Sequence, residues 1–366
     1  MKRRTFLASL AATAGLAQTG WAAAGSPAFL AAARLPAGDY ALLGLTALGE
    51  EIFRLGLPSR GHAGAAHPSL PVAVAFARRP GVFGLVIDCV HGKVIARLEP
   101  PTGRQFNGHG AFSSDGARLF TSEVIADGSI GQIGVWDTKT WKRINQFASH
   151  GIGPHEILRL PGTETLIVAN GGIETDPSDR TPLNIDRMRP NLTYLSDAGE
   201  VLDQVELPDL AQNSIRHLSV RADGLVAFAM QWEGDAFEPV PLLGLHRLGA
   251  TAQLCEPALG EEFAMKGYAG SCAFSASGAR VAITSPKGGR VQIYTADGKP
   301  LASVAVADVC GLGPDRGADQ IGASDGFIAT DGFGGASRIT VTDEGQARAG
   351  GEVTSQVAFD NHLISL

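Results

Sequence analysis

The sequence predicts an all-β fold, a seven-bladed β-propeller of the YVTN/WD40 type, and three observations support this prediction. Short apolar runs alternate with turns rich in small and rigid residues, with 47 glycines and 20 prolines among 366 residues. The 3.6-residue apolar periodicity that is typical of helices is almost missing. A unit of about 49 residues recurs along the chain, which is close to the length of a four-stranded propeller blade.

Each unit contains short strands joined by tight turns. Residues 111–124 form a strand, an Asp-Gly hairpin and a second strand, and residues 131–147 add two further strands. Residues 272–304 repeat this order almost position for position. Asp-Gly and Ser-Gly pairs adopt the positive φ angles that two-residue hairpins require. The chain is therefore predicted to form consecutive four-stranded antiparallel sheets.

The start of each unit sets the number of blades. The seven openings that follow a polar or glycine-rich turn lie 37 to 62 residues apart, at His62, His109, His155, His217, Cys272, Asp319 and Gln356. The last unit, residues 355–366, has room for only two strands. We therefore place the two missing strands in residues 40–48 and 50–57, so that strands from both termini close the ring.

One interval is longer than the others and contains a charged segment at residues 173–190. This segment includes three prolines and shows no β alternation. We interpret it as an insertion at one end of the propeller, over the central opening, where loops commonly carry function.

The amino terminus has the features of an export signal. Lys2, Arg3 and Arg4 precede an Ala- and Leu-rich stretch, and small residues follow at 22–24. The Arg-Arg-Thr-Phe-Leu order resembles the twin-arginine signal, with an ordinary secretory signal as the alternative. We expect cleavage near Ala24, which leaves residues 25–366 as a single propeller domain in the periplasm.

Composition limits the class of partner and of site. The formal net charge is −7 and no block of basic residues occurs, which argues against nucleic acid. Beyond the signal, no apolar run approaches the ~20 residues of a membrane helix. The cysteines lack the C-x-x-C spacing of zinc-ribbon, thioredoxin and c-haem sites, so disulfides and buried thiols both remain open for Cys89, Cys255, Cys272 and Cys310.

A histidine opens each of four consecutive units, at His62, His109, His155 and His217. The innermost strand of each blade lines the central channel of a propeller, so residues just before these strands converge at the channel mouth. Convergent imidazoles bind transition metals such as iron or copper. A polar ligand pocket and structural hydrogen bonds are the alternatives. The other five histidines, including His362, are not part of the predicted set.

Five further residues are candidates for ligand binding or for support of the histidines. Alternation along the strand predicts that Glu156 points away from the channel and orients a ligand. Arg216 is a candidate for an anion, and Asp319 for an oxygen ligand in the sixth unit. Cys272 could supply a thiolate ligand or be buried as a small core residue. Asn170 lies in a turn before the insertion.

The order of several segments identifies a family resemblance. RRTFL, GPHEI, IVANGGIETDP, LNIDRMRPNLTYL, RHLSV, MQWEG and AFDNHL resemble a bacterial family known as domain of unknown function 1513, over essentially the whole chain. The resemblance implies a periplasmic, propeller-like protein, often encoded beside imelysin-type iron-regulated proteins and a dihaem cytochrome. It also implies a role near iron or another redox metal.

These observations favour a metal-binding or redox-accessory protein of iron or copper acquisition. The alternative is a non-enzymatic scaffold that docks an imelysin-like or cytochrome-type periplasmic partner. An enzyme is ranked third. The chain contains no H-E-x-x-H, G-x-S-x-G or Walker motif, and no G-x-G-x-x-G before a helix. A ring of imidazoles close enough to share one ion would favour the metal-binding protein.

Overall fold

The computed structural model describes residues 19–179, 181–317 and 325–366. Within these residues it contains seven antiparallel sheets arranged as the blades of a β-propeller, which confirms the predicted fold class. Four short 3₁₀ helices accompany the described strands, at Gly20–Ala24, Asp127–Ser129, Ile185–Arg187 and Pro208–Leu210. None of the helices in this part of the chain has the length and apolar character that crossing a membrane would need.

The strands follow the chain in order from blade to blade. The first three belong to the blade that closes the ring, blade 7: β1 (Phe29–Arg34), β2 (Tyr40–Leu45) and β3 (Glu51–Leu57). Blades 1 to 3 contain, from the innermost strand outward, β4 (Gly61–Ala66), β5 (Val72–Ala77), β6 (Gly84–Asp88) and β7 (Lys93–Leu98); β8 (Arg104–Phe112), β9 (Arg118–Ile125), β10 (Ile130–Asp137) and β11 (Lys142–Ile152); and β12 (Pro154–Arg159), β13 (Leu166–Asn170), β14 (Asn191–Leu195) and β15 (Val201–Glu206).

The remaining blades repeat this arrangement. Blades 4 to 6 contain β16 (Asn213–Val220), β17 (Val226–Trp232), β18 (Leu243–His246) and β19 (Gln253–Cys255); β20 (Ser271–Phe274), β21 (Arg280–Ser285), β22 (Arg290–Thr295) and β23 (Pro300–Ala305); and β24 (Val309–Pro314), β25 (Phe327–Asp331), β26 (Gly335–Val341) and β27 (Ala347–Thr354). The carboxyl-terminal strands β28 (Ala358–Phe359) and β29 (Ile364–Ser365) pair with β1 and complete blade 7.

The ring closes with strands from both termini, as predicted, but the division between them differs. Three strands come from the amino-terminal side, and one interrupted innermost strand, β28 and β29, comes from the other. The prediction placed two strands of this blade at each terminus and omitted β1. Its residues Phe29 to Ala33 are all buried, so the strand has no alternation of polar and apolar residues to mark it.

The opening predicted for the sixth unit was also misplaced. The innermost strand of blade 6 is β24, and its second residue is Cys310. Asp319 lies outside the described residues and follows β24 in the chain. The glycine-rich residues that connect β24 to β25 have the composition of an opening turn, which explains the error.

The antiparallel order of the strands defines two faces. We call the face where the innermost strands begin the upper face; it also carries the connections between second and third strands. The segment that joins β13 to β14 lies on this face and contacts the neighbouring blades. Gln105 Nε2 donates to the carbonyl of Pro177 at 3.1 Å, and Gln212 Nε2 donates to that of Ile185 at 3.3 Å.

Apolar side chains fill the space between neighbouring blades. Large buried residues such as Phe76, Phe106 and Phe228 lie in these interfaces and are fully buried. The short helix at Gly20–Ala24 is part of this packing, because Trp21 Nε1 donates to the carbonyl of His67 at 2.9 Å. Cleavage near Ala24 stays a prediction.

Candidate metal centre

The four predicted histidines lie at irregularities in the innermost strands. The pairing of β4 with β5 is interrupted between Gly61 and Gly64, and β8, β12 and β16 carry similar β-bulges. A β-bulge breaks the alternation of side chains and turns extra residues towards one side. The bulges point the four imidazoles towards the central channel. These residues lie within the innermost strands, not just before them as predicted, and all are buried: His62, His109, His155 and His217.

A fifth histidine, His362, completes the group. It lies between β28 and β29, where the innermost strand of blade 7 is interrupted. Its ring centroid is 4.7 Å from that of His62, 4.6 Å from that of His109 and 5.0 Å from that of His217. We call these five residues the histidine cluster. Imidazoles from five of the seven blades thus meet near the propeller axis.

The ring nitrogens of the cluster are poorly satisfied. Six of them are buried and have no hydrogen-bond partner among the described residues: His62 Nδ1, His109 Nε2, His155 Nδ1, His217 Nδ1, His217 Nε2 and His362 Nε2. A buried polar atom without a partner costs about 1–3 kcal/mol. In native proteins most buried polar atoms have a protein, water or ligand partner, so six together make the cluster a candidate site.

The five imidazoles are electrically neutral at pH 7. Burial lowers the pKa of each one, and for His109, His155, His217 and His362 it falls well below the ordinary range. Neighbouring imidazoles and arginines lower it further, since they would repel an added positive charge. The neutral imidazole is the form that binds a metal ion.

Glu156 lies inside the cluster rather than pointing away from it. Its Oε1 is 3.9 Å from His109 Nδ1, its Oε2 is 3.8 Å from His217 Nδ1, and the Leu218 backbone N–H donates to Oε2 at 2.8 Å. The bulge in β12 between Pro154 and Ile157 breaks the alternation on which the opposite expectation rested. Burial raises the pKa of Glu156 to about 8.

Among the described residues, two groups of side chains could hold a metal ion, and they share one residue. The first consists of His62, His109 and His362, and the second of Glu156, His217 and His362. Within each group the ligand atoms all lie within 4.8 Å of one another. Three imidazoles suit copper or zinc, whereas two imidazoles and one carboxylate form the arrangement of non-haem iron(II) sites.

Asp360 lies beside one imidazole of the first group, outside ordinary hydrogen-bond geometry. Its buried Oδ1 is 3.5 Å from His62 Nδ1, while Oδ2 accepts from Arg60 Nε at 2.7 Å. Although burial opposes ionisation, His62 and the arginines hold the pKa of this carboxyl well below its usual range. A carboxylate beside Nδ1 favours the tautomer with the proton on Nδ1, which leaves Nε2 available to a metal.

The cluster separates two cavities along the propeller axis. The larger, about 600 Å³, opens towards the lower face and is lined by His109, Glu156 and His362. The smaller, about 170 Å³, lies towards the upper face over His62, His155 and His217, and none of the described residues 173–190 lines it. The larger cavity therefore offers an approach to the cluster from the lower face.

The other predicted residues have different places. Arg216 is buried beside His217, and its Nε has no hydrogen-bond partner. Cys272 is a buried free thiol that lines the larger cavity, and burial raises its pKa well above the usual range. Asn170 is held within blade 3, where its Nδ2 donates to Asn191 Oδ1 at 2.8 Å and Ser149 Oγ donates to its Oδ1 at 2.7 Å. It is not part of the cluster.

All four cysteines are free and buried. Burial raises the pKa of the Cys89, Cys255 and Cys310 thiols to about 12, so they carry a proton at neutral pH. A protonated thiol is a poor ligand and a poor nucleophile. None of the four belongs to either ligand group among the described residues.

Sequence reasoning missed His362 and Asp360. The last unit is short, and its opening was placed at Gln356, which put His362 six residues too late for the pattern. The short strand β28 ends at Phe359, and the interruption of the innermost strand follows directly. The segment Asp-Asn-His at this interruption was the available signal.

Comparisons with known proteins identify the fold and the family. Among solved structures, U3-55K has a TM-score of 0.61 at 11% identity, covering 84% of this chain and 85% of that chain. Hydrazine synthase from Kuenenia stuttgartiensis has a TM-score of 0.57 at 12% identity, covering 87% and 89%. At these identities the similarity concerns the fold alone. No curated protein matches the chain.

A family model agrees with the resemblance that the sequence segments predicted. The model, described as "Protein of unknown function (DUF1513)", matches residues 55–366, which includes every residue of both ligand groups. The chain therefore belongs to the DUF1513 family of proteins of unknown function.

Proposed function

We propose that this protein binds one transition-metal ion, iron or copper, at the histidine cluster. The observation that carries the proposal is the set of six buried imidazole nitrogens without hydrogen-bond partners. A metal ion in either group would satisfy two of these nitrogens, because it accepts a lone pair from each ligand nitrogen; the predicted ligand His155 belongs to neither group. The neutral state of the imidazoles and the short distances within each group support the same conclusion.

The donor set supports iron or copper over magnesium or calcium, which prefer oxygen ligands. The group with Glu156 has the composition of iron(II) sites, and the group with His62 and His109 has that of copper or zinc sites. The resemblance to proteins encoded near iron-regulated genes agrees with this choice. We propose that the protein acts in the periplasm as a metal-binding or redox-accessory component of iron or copper acquisition.

Elemental analysis by mass spectrometry tests the proposal directly. Protein purified from the periplasm without a histidine tag is expected to contain close to one iron or copper ion per chain. His109→Gln removes a ligand of the first group only, and His217→Gln removes one of the second only. The variant that loses the ion therefore identifies the group that holds it.

The matched control is His91→Gln, since the His91 side chain is 66% exposed and far from the axis in blade 1. It should keep the wild-type metal content. A wild-type protein that is metal-free and cannot be loaded with iron(II) or copper would contradict the proposal. That result would favour the second candidate, a scaffold that docks a partner, for which the upper face offers the exposed Phe237 and Phe333.

Proton release on metal binding distinguishes the two groups independently. The pKa of Glu156 is raised to about 8, so at pH 7 its carboxyl carries a proton that a metal ion would displace. The imidazoles are already neutral and release none. Calorimetric titration in two buffers of different ionisation enthalpy should show close to one proton released by the group with Glu156. Its affinity should then rise about tenfold per pH unit up to pH 8.

Glu156→Gln keeps the size of the side chain and removes the titrating group. In this variant the released proton and the pH dependence should both disappear. Binding that releases no proton in the wild type would assign the ion to His62, His109 and His362 instead. Release of several protons would contradict the neutral state of the cluster.

A further inference from the structure

The smaller cavity, towards the upper face, has a chemistry of its own. It encloses about 170 Å³, and its lining includes His155, His217, Arg78, Arg79, Tyr268 and Asn361. A water molecule occupies about 30 Å³ in the liquid, so the cavity has the volume of about five or six waters. This volume fits a small ion of several heavy atoms.

Positive charge predominates around this cavity. Arg78 and Arg79 line it from the connection between β5 and β6. Arg216, buried in the bulge of β16 beside His217, adds a third guanidinium close enough to lower the pKa of His155. Three carboxylates lie near the lining: Asp360 is ion-paired with Arg60 and Arg78, Glu156 is 3.8 Å from His217, and Glu233 is close enough to Arg216 to favour its charged form. No Asp or Glu among the described residues lines the cavity itself.

Several polar groups of the lining can donate hydrogen bonds. Asn361 Nδ2 donates to Tyr268 Oη at 3.4 Å, which leaves the phenolic hydrogen free to point elsewhere. His155 Nδ1 and both nitrogens of His217 are buried without partners, and each neutral ring carries one N–H. Guanidinium, phenol and imidazole donors together suit a ligand with several acceptor oxygens and negative charge.

We propose that the smaller cavity binds a small oxyanion, of the size of phosphate or a short dicarboxylate, through Arg79, Tyr268 and the imidazoles of His155 and His217. This binding site goes beyond the proposed function and needs no metal ion. Because it lies on the opposite side of the histidine cluster from the larger cavity, an anion there leaves the lower approach to the cluster open.

Calorimetric titration with four sodium salts tests this inference: phosphate, sulfate, oxalate and malonate, with chloride as the reference. Each is titrated into chelator-treated, dialysed protein and into protein loaded with iron(II). We expect saturable binding of at least one oxyanion, at one site per chain, to the metal-free protein. A preference for phosphate or for a dicarboxylate identifies the chemical class of the ligand.

Arg79→Gln should weaken this binding by about tenfold or more, since it removes a charged donor. Tyr268→Phe, which removes only one hydroxyl, should weaken it by about threefold. The control Arg97→Gln changes an arginine that is 49% exposed on β7 and should bind as the wild type. Unfolding of any variant is checked by its thermal melting curve.

The inference would be overturned if none of the four oxyanions bound saturably to either form, or if neither Arg79→Gln nor Tyr268→Phe weakened the binding. Equal weakening by Arg97→Gln would overturn it as well, because it would indicate a general charge effect. Metal content is measured on the same samples, so failure of the metal proposal and failure of the oxyanion site are separate results.

Discussion

Replacing His362 by glutamine is expected to reduce metal affinity more than any other single substitution, by at least about 100-fold. His362 belongs to both ligand groups, so neither group remains complete without it. Loss of residues that only support a ligand costs about 10–100-fold in metal affinity, and loss of a shared ligand should cost no less. A competition titration against a chromogenic chelator measures the change.

The design of the experiment relies on the single-group variants for comparison. His109→Gln and His217→Gln each leave one group intact, so at least one of them should bind more tightly than His362→Gln. The exposed His91→Gln again serves as the control. Wild-type affinity in the His362→Gln protein would show that the ion, if bound, is held elsewhere.

Deletion of residues 357–366 is expected to prevent stable folding of the ring. The deletion removes the innermost strand of blade 7 and three buried apolar side chains, Val357, Phe359 and Leu363. Burial of such side chains stabilises a protein by about 1.5–3 kcal/mol each. Their loss is comparable with a total stability of about 5–15 kcal/mol. Circular dichroism and thermal melting should show no cooperative transition.

A single substitution tests the same closure without removing the chain. Phe359→Ala should lower the free energy of unfolding by about 3–5 kcal/mol, because the ring of Phe359 is buried against the core that contains Leu43 and Ile328. Gln356→Ala, at an exposed position in the same segment, should change it little. A truncated protein that melts cooperatively at the wild-type temperature would mean that β1 needs no inner partner.

The architecture was largely predictable from the sequence, for a physical reason. Blades are local structures, and hairpins such as Ser113–Arg118 connect strands that are neighbours in both sequence and space. Turn residues and apolar runs therefore identify them one at a time. β1 was missed because its residues are buried on both faces of the sheet. Blade 6 was shifted because a glycine-rich connection can begin a unit or lie within one.

The site was predictable only in part, because its geometry depends on breaks in the repeat. His62, His109 and His155 share a position in their units, and a pattern of spacing can find them. Glu156 contradicts the alternation that such a pattern assumes, since a bulge turns two consecutive residues the same way. His362 lies far along the chain, in an interrupted strand, and reaches the cluster only through closure of the ring.

Closure of the ring and completion of the ligand groups are the same event. His362 stands between the two strands that pair with β1, so a chain whose last strand has not docked offers no complete group. An ion that binds only the closed form would stabilise it by about 2.7 kcal/mol at a free concentration 100 times its dissociation constant. Metal supply would then set how long each molecule stays closed, and opening of blade 7 would release the ion without any motion of the other six blades.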